Sequence, residues 1–140
     1  MNNQKVINII KINPQLVVFV GFFIYAFSLG AMFPRLDDIQ TSLAIDKAEL
    51  GLLLLCIPLG LQVTLVFADR LVRAIPLKNI ICTGIPSICF MQFAAVAINQ
   101  ISFFAFFLIV CGAFVAVVEV AINLEADRVE HALGSRIMNR

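Results

Sequence analysis

The sequence predicts an all-α integral membrane protein with four transmembrane helices. Three observations carry that expectation: the composition, four long runs almost free of charge, and the placement of basic residues around them. Of 140 residues, 61% are hydrophobic and only 14% charged, with a mean hydropathy of +1.01. A soluble domain of this size has about 25% charged and 45–50% apolar residues. The apolar excess is more than one water-facing core can absorb, so lipid must face much of the surface.

The elements follow in order. Residues 1–13 are polar with two lysines and read as an N-terminal segment rather than a cleavable leader. The first span occupies 14–34: Pro14 suits an early helical position, the run Leu16 to Phe33 has 18 residues without a charge, and Pro34-Arg35 closes it. An outer loop covers 35–49, in which Leu36, Ile39 and Leu43 fall at helical spacing and mark a short interfacial helix. Asp46 with Glu49 three positions on is a capping box that opens the second span, 50–68. A loop over 69–79 leads to the third span, 80–98, and the minimal link Asn99-Gln100 makes the third and fourth spans antiparallel neighbours. The fourth span, 101–122, holds one charge, Glu119. The tail 123–140 continues as a helix, with Glu125 and Arg128 three apart and Gly134 as a C-terminal cap. Runs of 18 to 22 residues match a hydrocarbon core about 30 Å thick. They are apolar all round, unlike surface helices, and show none of the alternation of a membrane β-barrel.

Eight of the ten basic residues fall on one side of these spans: Lys5, Lys11, Arg70, Arg73, Lys78, Arg128, Arg136 and Arg140. Arg35 and Lys47 lie on the other, beside Asp37, Asp38, Asp46 and Glu49. The bias of Lys and Arg toward cytoplasmic loops predicts a multi-pass protein of the cell (inner) membrane with both termini cytoplasmic.

Little points to an enzyme. There is no Ser/His/Asp set, phosphate loop or pair of carboxylates in a predicted pocket, and the net charge of +1 gives no reason to expect a nucleic-acid partner. Cys56, Cys82, Cys89 and Cys111 sit in apolar runs without metal-ligand spacing and read as small hydrophobes. With His131 the sole histidine, neither a metal nor a cofactor is expected.

Several stretches say more. Asp69-Arg70-Leu71-Val72-Arg73 resembles the signature loop of the major facilitator superfamily, G-x-x-x-D-R-x-G-R-R, with Leu65 and Val72 at the glycine places and Ala74 at the last basic place. Phe33-Pro34-Arg35-Leu36 and Glu49-Leu50-Gly51-Leu52 are similar to that superfamily's turn after helix one and start of helix two. Glu119-Val120-Ala121-Ile122-Asn123, followed by Val129-Glu130, Leu133-Gly134 and Met138, resembles a bacterial subgroup related to the fucose permeases, in which an aspartate usually stands where Glu119 does. The resemblance implies secondary transport of a sugar-like or other small solute. It implies that Asp69, Arg70 and Arg73 form a cytoplasmic gate loop, Asp69 facing a helix N-terminus of the other half. The wholly apolar stretch Phe103 to Val110 lacks the arginine of drug/proton antiporters and favours a symporter.

Glu119 has two readings: an acid at the membrane boundary, cheap there, or a cavity-facing proton or solute site supported by Asn123 one turn on. Tyr25, the only tyrosine, sits mid-span and needs a hydrogen-bond partner, which a solute cavity can supply. For helix one as a whole the plainer reading is packing, through Ser28 and an Ala26/Gly30 small-residue contact.

A complete facilitator has twelve spanning helices in two six-helix halves. The resemblance therefore covers a partial N-terminal half, helices one to four, expected to be truncated and inactive alone. Its expected partners are the bilayer, helices 5–12 or further copies of itself, and, when complete, a small-molecule solute with the proton as candidate coupling ion. Two other classes stand beside it. One is a self-contained four-helix transporter acting as an oligomer, although such exporters carry their acid in helix one. The other is a non-transporting membrane interaction protein.

Overall fold

The computed structural model describes residues 14–133; Lys5, Lys11, Gly134, Arg136, Met138 and Arg140 lie outside them. The described residues are helical almost throughout: α1 (Pro14–Gly30), a 3-10 turn (Phe33–Arg35), α2 (Leu36–Leu43), α3 (Lys47–Leu54), α4 (Cys56–Ala74), α5 (Leu77–Ala97) and α6 (Ile101–Leu133). Four stretches are long and apolar enough to cross a membrane: Val18–Leu43, Lys47–Ala74, Leu77–Ala97 and Ile101–His131. The chain is a multi-pass membrane protein of four spans.

Local chemistry sets the joints. The capping box forms: the Glu49 amide donates to Asp46 Oδ1 at 2.7 Å and the Asp46 amide to Glu49 Oε2 at 2.9 Å. α2 ends in a paired turn in which the Ile45 amide reaches Gln40 O at 3.2 Å and the Ala44 amide reaches Thr41 O at 3.3 Å. That turn puts Ala44 at φ 52°, the left-handed place glycine normally takes. The division between α3 and α4 falls at Leu55, one turn before Pro58. Proline has no N–H to give the Leu54 carbonyl, so the ladder opens there.

Two helices outrun their apolar runs. Asp69, Arg70 and Arg73 stand on the last turns of α4, not in a loop; the chain leaves the helix at Ile75, ahead of Pro76. No glycine or proline interrupts 69–74, and exposed charges at a helix end break nothing. α6 likewise runs on to Leu133, 33 residues in all.

α6 is the hub. Phe104, Leu108, Cys111, Ala116, Val118 and Ala121 are fully buried, between α4 on one side and α5 on the other. α1 packs more lightly, against α5 and α6. Glycines allow the close approach. A Cβ on Gly60 would strike the Ile109 carbonyl, one on Gly112 the Ile57 carbonyl, and one on Gly84 the Val118 side chain. The first two are backbone-to-backbone contacts of the kind that hold helices together where lipid, no less apolar than leucine, surrounds them. The small-residue contact expected at Ala26 and Gly30 does not form: both are exposed, and a Cβ on Gly30 would meet nothing within 4 Å. The turn of α1 that faces α6 carries Val18, Phe22 and Tyr25 instead.

At the end carrying Asp37, Asp38, Asp46 and Glu49, hereafter the acidic end, α2 packs inward. Ile39 is 2% exposed and clusters with Met32, Ile45, Leu50, Phe104 and Leu108. The opposite, basic end carries Arg70, Arg73, Lys78 and Arg128.

Candidate functional site

Tyr25 and Glu119, 94 positions apart in the chain, meet across the α1–α6 contact. The tyrosine hydroxyl points its donor at Glu119 Oε2 from 3.5 Å, at the long limit of a hydrogen bond. Around the ring, Ile88, Cys111, Val115, Val118 and Ile122 form an apolar wall. Tyr25 is the tenth residue of the 18-residue run Leu16–Phe33, which puts it near mid-span. Glu119 lies 18 residues along α6 from Ile101, roughly 27 Å, inside the fourth span and nearer its basic end. Beyond it α1 and α6 stay together toward the basic end, where Val18 packs on Ala126 and Val129. The helix itself continues past the apolar run to Leu133, as expected of the tail. A carboxylate inside a span is costly against lipid and is favoured where it faces protein or a watered cavity.

Glu119 is exposed beside the buried tyrosine, and Asn123, four positions on, is exposed on the same face of α6. The site is thus a donor and a carboxylate in contact, with an amide one turn away. It can hold a proton, or take hydrogen bonds from a hydroxyl-bearing solute. Ser28 does not join it: its hydroxyl donates to Ile24 O of its own helix at 2.7 Å.

The second group lies at the basic end. Arg73 Nε donates to Asp69 Oδ1 at 3.1 Å, one helical turn apart, with both side chains more than 70% exposed. Water screens such a pair, so its carboxylate stays available to another donor. Arg70 is exposed and takes part in no ion pair among the described residues. No contact among the described residues links this group to Tyr25 and Glu119.

Sequence reasoning passed over Gln92, a lone amide in an uncharged run and 8% exposed. It lies beside the Cys111 thiol and lines a cleft of about 340 Å³ between α5 and the turn after α1, together with Arg35 and Met32. Its sequence signal was its isolation: a buried amide in a span needs a partner on another helix. Among the described residues no group of three or more His, Cys, Asp or Glu is placed to hold a metal ion.

Over 128 residues, 91% of its length, the chain is 28% identical to an uncharacterized MFS-type transporter of Yersinia pestis. The similarity is to a transporter of the major facilitator type. The chain spans 33% of that relative's length. No family model and no solved structure matches it.

Proposed function

We propose that this four-helix unit is part of a major facilitator secondary transporter for a sugar-like or other small polar solute, in the subgroup related to the fucose permeases. Its orientation would be basic end inward in the cell membrane, with both termini cytoplasmic. The observation that carries the reading is the contact of Tyr25 with Glu119 inside the spans, where a buried donor facing a carboxylate suits a transport path. In this reading Glu119 takes up the proton or accepts from a solute hydroxyl, Tyr25 orients the carboxylate, and Asn123 adds a second polar contact. Asp69, held by Arg73 and flanked by Arg70, serves as the inner gate against the remaining helices of the transporter, 5–12. Closing and opening that gate would accompany the rocking of halves that alternates access.

The test is uptake by the full transporter in proteoliposomes, driven by a proton gradient and screened across monosaccharides. Glu119→Gln, which keeps shape and removes the titrating group, is expected to cut proton-coupled uptake about tenfold or more. Uptake as fast as the parent's would remove Glu119 from the path.

A further inference from the structure

The basic end holds a second feature, apart from the Tyr25–Glu119 contact, that shares Arg73 with the gate group. α4 and α5 pack on α6 rather than on each other, so a gap opens between them above the tight link at Ile75-Pro76. At its basic end the gap widens into a cleft of about 480 Å³ whose charged lining is Arg73, Lys78 and Arg128 with one acid, Glu125. Three cations face one anion there, and because Arg73 is also bonded to Asp69 at 3.1 Å the local excess is one positive charge. Arg128 is 3.8 Å from Glu125, while Lys78 has no ion pair among the described residues. An adjoining lobe shares Arg73 and Arg128 and adds Asp127, which turns to His131 at 3.6 Å.

Toward mid-span the same gap becomes an apolar groove of about 280 Å³, walled by Thr64 and Leu71 of α4 and Thr83 of α5, and floored by Ala113 and Val117 of α6. Ile75 lines both the groove and the basic cleft. From Thr64 to Ile75 the groove follows 11 residues of α4, roughly 16 Å of helix. The Thr83 hydroxyl does not make it polar, because it is bonded to Asn79 O at 2.8 Å.

We propose that this continuous groove and cleft bind an anionic phospholipid, its phosphate headgroup between Lys78, Arg73 and Arg128 and one acyl chain laid against Ala113 and Val117. A free phosphate would need only the cleft; the apolar extension at membrane depth matches a molecule carrying both parts. Basic pockets between helices are the ordinary form of such sites. The inference rests on the four spans alone and stands whether or not Glu119 lies on a transport path.

The experiment is native mass spectrometry of the purified protein in neutral detergent, titrated separately with phosphatidylglycerol, phosphatidylcholine and glycerol phosphate. One phosphatidylglycerol per chain is expected, with phosphatidylcholine and glycerol phosphate failing to displace it. Neutralising the headgroup side with Lys78→Gln and Arg128→Gln together should weaken it about thirtyfold, from roughly a tenfold loss or less per basic residue. Thr83→Trp, an exposed position that fills the groove without touching a charge, should abolish retention independently. Equal binding of phosphatidylcholine would overturn the headgroup assignment. Displacement by glycerol phosphate, with Thr83→Trp as tight as the parent, would reduce the site to one for free phosphate and also overturn the proposal.

Discussion

The α4–α6 and α1–α6 contacts are built on opposite principles. α4 meets α6 backbone to backbone: Gly60 lies under the Ile109 carbonyl and Gly112 under that of Ile57, with no room for a methyl group on either. α1 meets α6 through side chains, with Phe22 and Tyr25 spanning the distance and one long polar contact to Glu119. Its outer aromatics Phe23 and Phe27 are about 70% exposed. A contact made of fitted backbones has one arrangement, whereas one made of long side chains can be remade with small rotamer changes. The difference teaches that α4, α5 and α6 form the stiff part of the unit, and that the polar pair sits at the adjustable joint.

Substitutions can break or sharpen that contrast. The largest effect is expected from Gly112→Leu, which must force α4 and α6 apart and should destabilise by about 3 kcal/mol or more. Unfolding in mixed micelles read by circular dichroism measures it, and a change below about 1 kcal/mol would mean the helices are not in backbone contact. Next is Asp46→Ala, which removes the cap that starts the second span and should cost about 1 kcal/mol in the same assay. Ala44→Gly should act in the other direction, raising stability by up to about 1 kcal/mol, because glycine takes φ 52° without a Cβ penalty. Smallest is Gly30→Leu at the loosely held end of α1, expected within about 0.5 kcal/mol of the parent. A loss at Gly30 as large as that at Gly112 would erase the distinction between the two contacts.

Much of this could be read from the residues. Uncharged runs located the four spans, and Asp46 with Glu49 marked the cap that forms. Tyr25 and Glu119 each stood out as a polar group inside an apolar run. Their meeting was not legible, since it depends on how α1 and α6 are rotated about their axes, and that is set by packing. Glycines show the same limit: Gly30 and Gly112 look alike in sequence, but only one faces a neighbour. Helix ends were misjudged where charge was taken to end a helix. Asp69, Arg70 and Arg73 solvate at the end of α4 without breaking it, and the real stop is Pro76.

The length of α6 has a mechanical side. At about 1.5 Å per residue its 33 residues measure roughly 50 Å, some 20 Å more than the hydrocarbon thickness. Measured from Gly112, the point held against α4, Arg128 lies 16 residues along the rod, or roughly 24 Å away. A tilt of about 10° at that point would sweep Arg128 through roughly 4 Å and Glu119, only 7 residues out, through less than about 2 Å. The displacement from any tilt of this stiff rod about that point would therefore be more than twice as large at Arg128 as beside Tyr25.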